Sequence, residues 1–377
     1  MNSLWKWLTA WAFCALILVV NAWPTLDSAV DDAFISARYA AHASEGLGLV
    51  YNAGEVPIEG YSNLLWTLWL AVCMVVGFDV HSVMVYSGLA FGILALGGLL
   101  ACSYRMLDGH HAAVLPMLFL ALSPHFGIVT TNGLESSQYM ALVFWALALA
   151  WGVEGRWRWL VGGLLGSLWA VRPEGLVMAA CIMSFDLWGR PLKARETWRL
   201  WCGALIVWAL LVGWRLWFYG DWLPNTAAAK ASGDFSFLLK RNWNYLWADL
   251  WFWFVWLVLT MLGTGFGLKN PKTWNLWAMI LASVGIAAQV YLWMPGARLL
   301  LLPMCLGFIL LTLPLTRSSK LAGVWGLSIA LFVLFIAISP LRMRMHRTDL
   351  VHSVARDNPA LQAARHLGLY APEGAWL

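Results

Sequence analysis

Apolar runs of membrane-spanning length recur along the whole chain, near 4–22, 82–103, 112–129, 136–153, 157–171, 174–189, 200–218, 250–267, 274–293, 299–316 and 321–340. A bilayer core about 30 Å thick takes roughly 20 apolar residues as a helix, and lipid offers no partner for unpaired backbone groups. The pattern excludes a large soluble core and predicts an all-α polytopic membrane protein. Composition agrees: 61% of residues are hydrophobic and only 11% are charged. A net charge of +5 therefore reads as loop asymmetry, and no long basic tract points to nucleic acid. Tryptophans concentrate near the ends of the runs (Trp5, Trp7, Trp157, Trp159, Trp251, Trp253, Trp256), where indoles favour the headgroup region; a minority is left to line a groove for lipid or sugar. The six cysteines lie in apolar segments without paired spacing, as small hydrophobes rather than a disulfide framework or zinc site. The histidines show no metal-ligand spacing either. Trp23-Pro24 follows the first run where a cleaved leader would have small residues, so the first span is expected to stay.

One further run, Tyr61 to Phe78, decides the orientation of everything after it. If it does not cross and the N-terminus is inside, the inner loops hold Lys6, Arg105, Arg156, Arg158, Arg190, Lys193, Arg195, Arg199, Lys269, Lys272, Arg317 and Lys320. The outer loops before the tail then hold only Arg38, Arg172, Lys230, Lys240, Arg241 and Arg298, with Arg215 inside a span and five arginines in the tail. A crossing would invert that bias, against the positive-inside rule. The expectation is a juxtamembrane or re-entrant helix at 61–78, eleven spans within residues 1–340, a first outer loop at 24–81 and a short outer tail at 341–377. The same orientation gathers Asp27, Asp31, Asp32, Glu45, Glu55, Glu59, Glu135, Glu174, Asp221, Asp234 and Asp249 on the outer face. Inner loops carry only Asp108, Glu154, Asp186 and Glu196. The site is expected outside.

Among these acids, Asp31 and Asp32 sit about ten residues beyond the first span. Adjacent positions diverge by roughly 100° on a helix, so the two cannot face one reacting atom alike. One is able to act as general base while the other orients it; the competing reading is helix N-capping. Glu59-Gly60-Tyr61-Ser62-Asn63 introduces the ambiguous helix, with Ser62 or Asn63 as a possible cap. Asn132-Gly133-Leu134-Glu135-Ser136 opens the fourth span, and Arg172-Pro173-Glu174-Gly175 turns between two spans with Arg172 and Glu174 able to pair. The loop Tyr219 to Thr226 carries Asp221 and Asn225 and leads to Lys230, while Met294-Pro295-Gly296-Ala297 leads to Arg298. Lys230, Arg298 and Arg172 either snorkel to headgroups or hold a lipid-linked phosphate.

Taken together these segments resemble the GT-C superfamily of membrane glycosyltransferases, and within it the terminal arabinofuranosyltransferase branch of mycobacterial cell-wall arabinan synthesis. The resemblance is carried by Asp31 to Tyr39, Gly46 to Asn52, Glu59 to Asn63, Asn132 to Glu135, Arg172 to Gly175 and Tyr219 to Thr226, in order over residues 1–310. Two departures stand out. Tyr291-Leu292-Trp293 stands where members often have Gly-Gly-Asp, and the short tail stands where arabinan-branch members carry a soluble domain.

The resemblance implies an inverting transfer, on the extracytoplasmic face of a bacterial inner membrane, from a polyprenyl-phosphate sugar to an acceptor hydroxyl. The branch favours a pentofuranose such as arabinofuranose; the acceptor is a cell-envelope glycan or a surface protein such as a pilin. Asp31 is expected as base with Asp32 in reserve, Lys230, Arg298 and Arg172 as phosphate ligands, and Glu59, Tyr61, Asn63, Glu135, Glu174, Asp221 and Asn225 as the sugar pocket. The scheme requires no metal or other cofactor, although adjacent carboxylates are able to hold one. A flippase of a lipid-linked sugar is the main alternative. It is disfavoured because the acids lie at span ends rather than the midplane and no repeat is evident. A non-catalytic subunit would leave Asp31 and Asp32 without consequence beyond folding.

Overall fold

The computed structural model describes residues 2–26, 29–188, 194–225, 250–289, 298–317, 323 and 325–329. Asp27, Lys230, the 291–297 element and the tail 341–377 lie outside the described residues, as does most of the run at 321–340. The described secondary structure is helical: α1 (Asn2–Ala22), α2 (Asp31–Ser44), α3 (Leu64–Val75), α4 (Val80–Met106), α5 (Val114–Leu122), α6 (Pro124–Thr131), α7 (Ser136–Gly152), α8 (Arg158–Val171), α9 (Gly175–Trp188), α10 (Ala194–Phe218), α11 (Leu250–Thr264), α12 (Pro271–Gln289) and α13 (Arg298–Leu311).

By length and composition, four stretches among the described residues can cross a membrane: Leu4–Thr25, Val80–Met106, Glu196–Phe218 and Arg298–Thr316. A fifth arises if α5 and α6 are one span, but they meet at a 62° bend. Pro124 is the first residue of α6, so its ring has no place in a continuous helix through Ser123. Most of the other runs form shorter helices. The run at 61–78 yields only the 12 residues of α3, about 18 Å of helix against a core of about 30 Å.

Helices close up through small residues. A Cβ on Gly88 would sit 2.3 Å from the Thr130 carbonyl oxygen of α6, and one on Gly98 2.9 Å from Phe144 Cβ of α7. Gly162 and Gly166 of α8 similarly admit the backbone of α10. Where lipid is as apolar as leucine, such close backbone approach supplies the packing energy between helices.

The first loop is fastened to this bundle from two sides. Ala33, Ala37 and Ala40 of α2 pack on Trp66 and Leu70 of α3 and on Met84 of α4. Tyr39, Tyr61 and Leu64 pack with Trp169 of α8 and Leu211 of α10. Within the loop, Arg38 Nε donates to the Tyr51 carbonyl at 2.7 Å and Nη2 to Asn52 Oδ1 at 3.1 Å, while its guanidinium lies over the Tyr51 ring. Thus Arg38 holds the Gly46–Asn52 segment rather than serving as a free outer cation. All six cysteines are free.

Candidate active site

Asn63 is the residue preceding α3, yet its side chain makes no capping bond. It accepts hydrogen bonds from Ser36 Oγ at 3.0 Å and Thr67 Oγ1 at 3.2 Å, and donates to Glu135 Oε2 at 2.8 Å. Glu135 sits at the start of α7, where the chain must turn sharply at Gly133. That glycine has φ of +81°, and a Cβ there would lie 2.9 Å from Ala33 Cβ. Trp66 Nε1 donates to the Gly133 carbonyl and Val30 N–H to the Asn132 carbonyl, so the turn locks α2, α3 and α7 together.

Arg172, at the end of α8, joins two acids. Its Nη1 donates to Glu135 Oε1 at 2.6 Å and its Nε to Glu174 Oε1. The sequence allowed a simple Arg172–Glu174 pair; the structure adds Glu135 and, through it, Asn63. Four of the expected site residues thus form one buried network. Burial alone would raise the Glu135 carboxyl. Arg172, Arg298 and the Asn63 amide outweigh it and hold the group below the ordinary carboxylate range.

Beside this network lies a cavity of about 30 Å³, with Arg172, Glu174, Arg298, Ser136 and Tyr139 among its polar lining and Met140, Met178 and Leu302 among its apolar lining. Arg298 is the first residue of α13. Among the described residues it makes no ion pair at contact distance, whereas Arg172 is matched by two carboxylates. The carboxylates of Glu135, Glu174 and Asp32 all lie close enough to Arg298 to attract its charge.

The two adjacent aspartates separate as helical geometry requires. Both lie in the first turn of α2, and neither side chain caps it. Asp31 is exposed and accepts the Asp32 N–H at 2.9 Å; Asp32 is half-buried. Of the two, Asp32 is the one on the Arg298 side.

Glu59 and Tyr61 belong to a second cluster. Glu59 Oε1 accepts from Arg215 Nε at 3.1 Å and Nη2 at 3.0 Å, with Arg215 fully buried on α10 and its guanidinium over Trp169. Here burial wins over the single guanidinium, and the Glu59 carboxyl lies above its ordinary range. The Tyr61 and Tyr219 hydroxyls are 3.1 Å apart, and Tyr219 donates to the Leu49 carbonyl. Asn225 N–H donates to the Glu59 carbonyl while its side chain is exposed, as is Asp221. The structure therefore places Glu59, Tyr61 and Asn225 in the anchorage of the first loop and not in the cavity lining. Arg215 had a sequence signal, a guanidinium inside an apolar run, but its partner lies 156 residues away. Tyr139 had none.

The site residues converge from helix starts: Asp32 on α2, Asn63 before α3, Glu135 before α7, Glu174 before α9 and Arg298 on α13. The partial positive charge of those ends suits an anion. The described residues bring together no three His, Cys, Asp or Glu side chains at ligand spacing, and Glu135 commits both oxygens to Asn63 and Arg172.

No family model matches the chain. It is 26% identical over 308 residues to the terminal beta-(1->2)-arabinofuranosyltransferase of Corynebacterium glutamicum, covering 73% of this chain and 42% of that protein. Its fold is similar to that of the Archaeoglobus fulgidus oligosaccharyltransferase. Against the apo crystal structure the TM-score is 0.53 at 10% identity, covering 96% of this chain and 59% of that one. Against the complex with zinc and sulfate it is 0.51 at 12% identity, covering 88% and 51%. The chain spans about half the length of the proteins it matches. Both relatives are GT-C type glycosyltransferases, so the chain combines a weak homology and a shared fold that point to the same class.

Proposed function

We propose that the chain is an inverting GT-C glycosyltransferase that takes a sugar from a polyprenyl-phosphate donor. The observation that carries this reading is Arg298, a cation without a contact ion pair among the described residues, at the wall of the cavity beside the Asn63–Glu135–Arg172–Glu174 network. An acceptor hydroxyl attacks the anomeric carbon from the face opposite the phosphate. Its oxygen bonds to that carbon, its proton passes to the carboxylate, and the carbon–oxygen bond to phosphate breaks with the electron pair leaving on phosphate. Base assistance of this type contributes roughly 10²–10⁴-fold. Fixed cations lower the barrier by meeting charge as it grows on the leaving group.

Of the two aspartates, the half-buried Asp32 is favoured over the exposed Asp31 as base. Arg298, with Lys230, serves as the phosphate cation. Arg172 is assigned to the frame instead, because Glu135 and Glu174 already balance its charge. The eleven-span arrangement from the positive charges, with an inner N-terminus and α2 and α3 in the first outer loop, puts this site on the extracytoplasmic face of a bacterial inner membrane. Arabinofuranose is the favoured sugar, in line with the activity named for the Corynebacterium protein. A small glycan or a surface protein is the favoured acceptor.

The test uses purified protein in detergent with labelled polyprenyl-phosphate sugars and a periplasmic acceptor extract. Acceptor labelling with release of polyprenyl phosphate is expected from wild type and from Asp31→Asn, with Asp32→Asn slower by roughly 10²–10⁴. An intact donor that instead crosses liposome membranes would replace the transferase with a flippase. Equal loss in both aspartate variants would undo the choice of base.

A further inference from the structure

The Tyr139 hydroxyl is buried and has no hydrogen-bond partner among the described residues, yet the side chain lines the cavity beside Arg298. An unpaired buried hydroxyl is costly and calls for a ligand or an ordered water. The ring is well fixed: Tyr139 is 6% exposed on the first turn of α7, with the Arg172 guanidinium 5.8 Å from its centroid. A phenol is protonated at neutral pH and so can donate.

The surrounding groups select what it donates to. Glu135 has both oxygens engaged, and Glu174 shares its Oε1 with Arg172. Ser283 Oγ is 2.8 Å from the Met279 carbonyl. Among the described lining, that leaves one cation with no acid at contact distance, one unused phenol, and helix starts on two sides. The cavity, about 30 Å³, exceeds the roughly 10–15 Å³ that one water needs. It has room for an oxygen-sized group. Its apolar walls strengthen any charge interaction inside.

We propose that the Tyr139 hydroxyl is a ligand-binding group that donates a hydrogen bond to an anionic oxygen of the donor's phosphate, beside Arg298. This rests on the lipid-phosphate reading above and adds the group that orients the phosphate rather than merely attracting it. The same contact holds the polyprenyl phosphate that remains after transfer, so it can be measured without knowing the sugar.

The probes are polyprenyl phosphate and the prenol of the same chain length, bound to the purified full chain. Tyr139→Phe removes one oxygen that has no described partner, so its melting midpoint is expected to match wild type. Its affinity for polyprenyl phosphate is expected to fall about tenfold or more, as for a hydrogen bond to a charged group, while prenol binding is unchanged. A variant that binds the phosphate as wild type does, or that loses phosphate and prenol equally, overturns the inference. If wild type does not distinguish phosphate from prenol, the failure lies in the underlying lipid-phosphate reading.

Discussion

Breaking the Glu59–Arg215 pair from one side and from both sides has different consequences. Arg215 is fully buried and its side chain meets Glu59 through Nε and Nη2. Glu59→Gln leaves that guanidinium against a neutral amide, and stranding one member of a buried pair costs about 3–5 kcal/mol. The amide oxygen can still accept the two hydrogen bonds, which places the expectation at the lower end, about 3 kcal/mol. Arg215→Met leaves an acid already displaced upward by burial; it takes up a proton and costs about 1–3 kcal/mol as a buried polar group without its donor. The double variant removes both charges and fills the space with a flexible thioether. Its loss should undershoot the sum of the singles by about 2 kcal/mol, within the range seen for contacting residues. Equilibrium unfolding of all four proteins in mixed detergent, followed by circular dichroism, reads the cycle. Strict additivity, or a Glu59→Gln protein as stable as wild type, would refute the view that these charges compensate each other in a buried field.

Two further outcomes follow from the same physics. The Glu135 carboxyl is held below its ordinary value, so its stabilisation is complete above about pH 4.3 and is lost as pH falls through the folded pKa. Glu135→Gln should therefore be less stable at neutral pH and show a flatter acid limb in a stability–pH series; an unchanged acid limb would mean another group sets it. Gly133→Ala forces a left-handed backbone and a Cβ 2.9 Å from Ala33. At about 1–2 kcal/mol for the backbone alone, the midpoint should drop measurably, and a wild-type midpoint would show that the turn relaxes.

What the sequence revealed and what it hid divide along the reach of the interactions. Asn63, Glu135, Arg172 and Glu174 were legible because each stands at a helix end, in a chain where charge is scarce, and the structure joins them directly. The separation of Asp31 from Asp32 was legible as an angle but not as a choice, because which face of α2 is covered depends on α3 and α4. Glu59 was grouped with the pocket because the Glu59 to Asn63 element carries the family resemblance. Its partner Arg215 comes from the far end of α10, a pairing no local pattern announces. Hydropathy likewise reads 112–129 as one span, since Ser123-Pro124 barely lowers the average while bending the helix by 62°.

Gly175 shows how such a site constrains its own variation. A single carbon added there would stand 2.0 Å from the Leu168 carbonyl oxygen, and no change of the Leu168 side chain can move a backbone atom away. In a library of variants, position 175 would thus look as indispensable as any acid, without touching a substrate. A loss-of-function map of this chain would draw its active centre too wide, enclosing the hinge of α8 and α9 with the chemistry. Only ligand protection or direct binding would shrink the outline back to the groups that meet the ligand.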